Sequence, residues 1–230
     1  GYLLFGSGQD YPIKDAAAID AYLTAHADVV HADTAPIDRM WPDQFEVKIT
    51  HYCLPQSDAH GDLLLLPPLR TMSLRGVFGW ARRLMRTFGV RAGLRHTRAM
   101  LGPRGLPFGM PHGGSSWWGM PWDVAGDVVA WTDAHPDFAQ YFRYSQCPDE
   151  MFFHTALARL EAEGCPLAWQ ENLTYIDWSE ATAGSPKVLT AADVETLATQ
   201  PEHKLFARKF DESVDAAVLD ILDDRAGRSR

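Results

Sequence analysis

Cysteine is scarce in this chain: Cys53, Cys147 and Cys165 are the only three among 230 residues. Their spacing matches no zinc-binding pattern, and an odd, sparse count supports no disulfide framework and fits a reducing compartment. Long apolar runs are missing as well. The longest, LLLLPPL at Leu63–Leu69, falls far short of the ~20 residues a membrane span needs and is broken by proline. No basic stretch followed by an apolar one marks a signal peptide. The chain has no His-Glu-x-x-His, no Gly-x-Ser-x-Gly and no P-loop, so zinc hydrolase, α/β-hydrolase and P-loop chemistry find no support. Net positive charge is lacking too: a charge of −9 and an isoelectric point near 5.4 argue against a dedicated nucleic-acid binder, which needs a basic footprint.

One local absence runs the other way. Between Leu63 and Trp122 there is no Asp, Glu or Lys, yet nine arginines occur there, which leaves twelve cations against thirty acids in the remainder. An Arg-rich amphipathic segment can lie on an anionic membrane surface. It can equally be a surface helix packed on an acidic body, its arginine stems covering apolar surface. The packed reading is the one favoured, with peripheral membrane contact as the alternative. As the chain stands, its localisation reads as cytoplasmic or peripheral to a membrane.

What is present is strand alternating with helix, the pattern of an α/β domain. Tyr2–Phe5 is a short apolar run ended by GSGQD, read as a buried strand rather than an edge. Lys14–His26 has helical spacing with Asp15 as its cap. Phe45–Tyr52 (FEVKITHY) alternates apolar and polar residues and predicts a strand with one wet face. After the Arg-rich stretch come a Gly/Pro loop, GPRGLPFGMPHGG at Gly102–Gly114, a helix around Trp122–Thr132, and a helical stretch opened by Pro136. Cys147-Pro148-Asp149-Glu150 then begins a helix running through Arg159. NLTYIDW is strand-like, AADVETLATQ a short helix, and Asp211–Leu222 a closing helix. With 46% hydrophobic residues, the chain reads as one domain over residues 1–230, carrying an Arg-rich, insertion-like segment at about 63–122.

The groups with chemical potential concentrate between Ser145 and Asp215. Glu150 falls in the first turn of its helix, where the dipole keeps a carboxylate ionised, the state a base needs; the same position equally serves a structural cap. Asp149 has the same placement, and spacing alone does not choose between them. His154, four residues on, shares the face and reads as packed. Arg208 and Lys209 are flanked by apolar Leu205, Phe206 and Phe210, which holds their charges near the core edge where they can bind a fixed anion. Pairing with Asp211 or Glu212 is the equally weighted alternative. Lys187 follows a Gly-Ser turn whose backbone amides can help cradle the same anion. Trp178 and Trp117 offer the flat apolar face and single N–H donor that suit a sugar ring, although most tryptophans serve simply as core.

The blocks GQDYPIK, GSSWW (which contains Ser115 and Trp117), CPDEMFF, YIDW, GSPKVL and LFARKFD, in this order, resemble the core-2/I-branching glycosyltransferase family, which includes β-1,6-N-acetylglucosaminyltransferases and peptide O-xylosyltransferases. The similarity runs from about Gly1 to Asp223. It implies an inverting transferase with a GT-A-type α/β fold, a mixed sheet flanked by helices, using a UDP-sugar and no metal ion or other cofactor. By the same resemblance Glu150 is the base, Lys209 meets the donor diphosphate, and Lys187 or Arg208 is the second cation there. Trp178 contacts the acceptor, and Trp117 and Ser115 join the sugar-binding set. An inverting transfer needs a base on the acceptor hydroxyl and a positive field on the departing diphosphate. Metal-dependent transferases commonly hold that diphosphate through Asp-x-Asp, which this sequence lacks. The family's acceptor-binding acid and cations correspond to His31–Lys48, where this chain departs. Family members also carry roughly one hundred residues before the GQDYP block, so the chain reads as N-terminally incomplete, with the nucleoside pocket outside it. The implied partners are a nucleotide-sugar donor and a carbohydrate acceptor, with N-acetylglucosamine the first choice of sugar and xylose the second. A carbohydrate-binding module without catalysis is the alternative from another class.

Overall fold

The computed structural model describes residues 1–57, 59, 61–101, 104, 106, 108–180 and 185–227, with Arg70 described in backbone only. It is mixed α/β, with small mixed sheets and many short helices. Two compact units emerge, one formed by Gly1–Asp33, Ser115–Asp127 and Glu163–Arg230, the other by Thr34–Gly114 and Val128–Ala162. Among the described residues no helix is long and apolar enough to cross a membrane.

The first unit holds two sheets. In one, Tyr2–Leu4 pairs antiparallel with Gly119–Pro121, which pairs with Val29–His31, which in turn runs parallel to Ala168–Gln170. In the other, Thr174–Ile176 runs parallel to Phe206–Arg208, and the latter pairs antiparallel with Asp10–Pro12. Tyr2–Leu4 is thus an edge strand, contrary to the buried reading, and it is only partly covered. Three residues of apolar sequence carry no information on which sheet position they take. The helix Ala16–Ala25 begins as expected, with Asp15 in extended conformation and its Oδ1 accepting from the Ala18 amide at 2.7 Å. A core of Leu189, Leu197, Ala207, Phe210, Val218 and Leu222 binds the second sheet to the helices Val194–Ala198 and Ala217–Arg225.

The second unit contains the largest departure. FEVKITHY is not a strand: Phe45–Thr50 is helical, and the strand starts at Tyr52 and runs to Pro55, antiparallel to Leu63–Leu66. A six-residue alternation is too short to separate the two periods. Its helical form buries Lys48, which an outward-facing strand position would have left in water.

The Arg-rich helix Leu74–Ala99 is not a straight rod. Gly89 has φ 79° and ψ 163°, a conformation closed to residues with a side chain. A Cβ on Gly93 would lie 2.6 Å from Met85 Cα, whereas a straight helix would hold residues eight apart at about 12 Å. The chain therefore reverses at Gly89 into two arms packed against each other, which is why position 93 carries no side chain. Trp80 and Leu84 on the first arm and Met100 at the end of the second close over Tyr52, Leu54, Leu64, Leu66 and Tyr144. The body under this hairpin is apolar, not the acidic one expected. Arg104 behaves differently from its neighbours in sequence, stacking 4.3 Å over Tyr141 and donating to the His51 and Tyr141 carbonyls. Of the Gly/Pro loop, Gly102, Pro103, Gly105 and Pro107 lie outside the described residues.

Candidate functional site

Glu150 closes a single 3-10 turn, Pro148–Glu150, and the regular helix begins only at Phe152. Cys147 precedes the turn in the left-handed region (φ 44°, ψ 62°), the one such residue other than glycine among the described residues. Met151 leaves helical geometry (φ −129°) and is 1% exposed, anchoring the turn in the core. That break removes the four-residue register expected to join Glu150 and His154, and His154 is fully buried in the helix Phe152–Ala162.

The partner of Glu150 is Lys48, whose Nζ donates to Oε2 at 3.3 Å. Lys48 is 3% exposed against 35% for Glu150, so the cation is the enclosed member of the pair. Its ammonium also sits 4.2 Å from the centre of the Trp41 ring, a contact that favours a desolvated cation. Trp41 can lie there because residue 113 is glycine, where a Cβ would come within 2.2 Å of the indole. Burial raises the Glu150 pKa above the ordinary glutamate value, Lys48 pulls it back, and Asp149 adds a smaller upward push. Burial outweighs the expected pull toward the ionised form, and the carboxylate is the more basic for it.

In the first unit, Ile176 pairs with Arg208 at the carboxyl ends of two parallel strands, the edge where α/β folds commonly bind ligands. Segment 185–189 threads between these ends, the Lys187 amide donating to the Asp177 carbonyl at 2.9 Å and the Leu189 amide to the Lys209 carbonyl at 2.8 Å. It brings the Ser185 hydroxyl to the Lys209 ammonium, 3.1 Å away. Among the described residues Lys209 has no carboxylate at ion-pair distance, and Asp211 instead caps the next helix through Ser213. Besides those Ser213 bonds, Asp211 is still near enough for the lysine charge to help lower its carboxyl pKa. Lys187 is directly paired, its ammonium lying 2.9 Å from Asp193 and 3.4 Å from Glu180. The Gly184 of its expected Gly-Ser turn lies outside the described residues.

Arg208 is nine-tenths buried, its guanidinium 3.5 Å over the Trp117 ring and its Nε 3.4 Å from Asp10 Oδ1. Trp117 Nε1 donates to the other oxygen of Asp10 at 2.7 Å, and the Trp117 amide donates to Ser115 Oγ at 3.2 Å. These four residues form one cluster, in which burial lowers the Arg208 pKa and Asp10 opposes that fall. Asp10 and Trp117 also border a cavity of about 300 Å³ walled by Phe5, Trp118, Thr174 and Phe206. Trp178 stands just beyond the strand and is 55% exposed.

Sequence reasoning singled out neither Asp10, Ser185, Trp41 nor Lys48. Asp10 lay in view within GQDYPIK. Lys48 was hidden by the strand reading of Phe45–Tyr52, and its link to Glu150 spans 102 residues.

Comparison with known proteins adds one finding. Over 139 residues the chain is 30% identical to xylosyltransferase 2 of Canis lupus familiaris and of Mus musculus, and equally to that of Homo sapiens. The chain is similar to part of a xylosyltransferase. The match covers 54% of this chain and 16% of the relative, so the chain spans a small fraction of the length of the curated proteins it matches. No family model matches it.

Proposed function

We propose that this chain carries the base and the leaving-group anchor of an inverting glycosyltransferase, of GT-A type and related to the core-2/I-branching enzymes, that moves a sugar from a UDP-linked donor to a hydroxyl acceptor. The similarity to xylosyltransferase 2 supports the reaction class. The observation that carries the mechanism is Glu150, a partly buried carboxylate of raised basicity held at 3.3 Å by an enclosed lysine.

In this reading Glu150 takes the proton of the acceptor hydroxyl as its oxygen attacks the anomeric carbon, and UDP departs from the opposite face. Lys209 meets the charge that develops on the diphosphate, its ammonium oriented by Ser185. Trp178, largely exposed, offers its indole to the acceptor ring. The cluster of Arg208, Trp117, Asp10 and Ser115 serves the donor sugar, with Asp10 as hydrogen-bond acceptor at the edge of the cavity. Lys187 steadies the loop that carries Ser185 through its bonds to Asp193. Lys209 does the work at the diphosphate that Asp-x-Asp and a metal ion do in other transferases.

The test is transfer by the full-length natural protein from UDP-N-acetylglucosamine and, in parallel, UDP-xylose, with and without chelator. Transfer that survives chelation and disappears in Glu150→Gln, with UDP binding retained, is expected. Loss on chelation removes the metal-free mechanism, retained turnover in Glu150→Gln moves the base elsewhere, and no transfer or hydrolysis from either donor overturns the reading. N-acetylglucosamine is the first choice of donor and xylose the second.

A further inference from the structure

The Arg-rich hairpin is not absorbed by the transferase reading, and its outer face is unlike the rest of the molecule. On the first arm the stripe opposite Trp80 and Leu84 carries Leu74 (79% exposed), Phe78 (76% exposed), Arg75, Arg82, Arg83 and Arg86. On the second arm Val90, Leu94, Arg91, Arg95 and Arg98 are exposed in the same alternation, with Leu101 just beyond. Among the described residues none of these seven arginines forms an ion pair or a hydrogen bond, and residues 63–122 contain no carboxylate to offer one. Arg82, Arg83 and Arg86, with Gly79 and Thr87, border an open recess of about 700 Å³.

We propose that this outer face docks on an anionic phospholipid bilayer, an interaction that goes beyond the transferase reading and does not depend on it. Two features select that occupant. The charge is complementary to acidic headgroups, and it is concentrated here in a protein that is otherwise strongly acidic. The large apolar side chains stand among the arginines, pointing into water. The arginine stems do not cover Leu74 and Phe78. A soluble polyanion satisfies the guanidinium groups and leaves Leu74, Phe78, Val90 and Leu94 in water, whereas the headgroup boundary of a bilayer takes both kinds of side chain at once. The hairpin lies on the surface without crossing it. Gly89 and Gly93 let two short arms fold back on each other, doubling the outer surface presented by one segment.

The experiment is co-sedimentation of the whole chain with vesicles of phosphatidylcholine alone and of phosphatidylcholine mixed with phosphatidylserine. Binding only to the mixed vesicles, weakening as salt rises, is expected. Arg82→Gln, Arg83→Gln and Arg86→Gln combined should weaken it on the order of a hundred-fold, at about five-fold per cation. Leu74→Ser with Phe78→Ser should weaken it by about ten-fold or more and leave no salt-resistant part. All five side chains are exposed, and unchanged thermal melts of both variants confirm the fold; should one melt early, the other set decides. No sedimentation with mixed vesicles at low salt overturns the proposal. It also falls if heparin competes fully and the Leu74/Phe78 variant binds like wild type, which assigns the face to a soluble polyanion.

Discussion

Replacing Lys48 by Met tests the geometry around Glu150 without touching the carboxylate. At 3.3 Å and an effective dielectric of ~20, the Coulomb attraction has a ceiling of about 5 kcal/mol. Glu150 is a third exposed, and screening by water cuts this to about 1–2 kcal/mol. That attraction exists only while Glu150 is ionised, which gives the variant a pH signature. Because the folded-state pKa of Glu150 is raised, its contribution to stability is fully present below the ordinary carboxylate value and is lost as pH rises through the raised one. Without Lys48 the folded value rises further, so the loss is larger and extends to higher pH. Melting temperatures measured from about pH 4 to about pH 8 should show a gap between wild type and Lys48→Met that widens with pH by ~2–8 °C, at about 2–4 °C per kcal/mol for a chain of this size. Any offset from the freed Trp41 face or from the relieved burial of the cation is constant over this range and subtracts out. In a Glu150→Gln background the same substitution should give a flat gap. A gap independent of pH in the wild-type background refutes the pairing as the control on Glu150. In transfer assays kcat/KM should rise with pH through the raised Glu150 pKa, and Lys48→Met should move that acid limb upward.

Lys209→Met should lower kcat/KM by about 10²–10³-fold, as removal of a group opposing developing charge does. Lys187→Met should cost less than about ten-fold, because its ammonium is already paired with Asp193; equal losses in steady-state assays refute the division of roles. Gly113→Ala forces a Cβ to within 2.2 Å of Trp41 and should lower stability by about 1–3 kcal/mol in urea unfolding, since overpacking a filled site carries that penalty. Gly89→Ala places a side chain at φ 79°, ψ 163° and should destabilise by about 1–3 kcal/mol, read as an earlier thermal transition; an unchanged melt means the hairpin turn lies elsewhere.

Much of the local structure is legible along the chain. Asp15 predicts the start of a helix because its carboxylate finds an amide three residues away, and Pro136 opens Pro136–Phe142 because its fixed φ suits a first turn. The closing helix expected over Asp211–Leu222 is split into Glu212–Asp215 and Ala217–Arg225, whereas Thr174–Ile176 and the helix Trp122–Ala134 are also where their patterns put them. These features depend on neighbours within one or two turns, which sequence spacing encodes. The FEVKITHY stretch shows where that stops, since six alternating residues satisfy strand and helix alike and the burial of Lys48 against Trp41 and Glu150 goes with the helix. Gly89 carried no visible instruction to reverse the chain, because its φ becomes meaningful only when Gly93 meets Met85. By itself the sequence determined the residue types on which the proposed chemistry rests, Glu150, Lys209 and the tryptophans, and the clustering of arginine in an acid-free segment. Only the tertiary structure decided that Lys209 meets the Ser185 hydroxyl, with no carboxylate at ion-pair distance among the described residues, while Lys187 and Arg208 pair with Asp193 and Asp10, and that Lys48 pairs with Glu150. Charge pairing acts over a few ångströms of space and across as many as 198 residues of chain, from Asp10 to Arg208, a separation that no periodicity records.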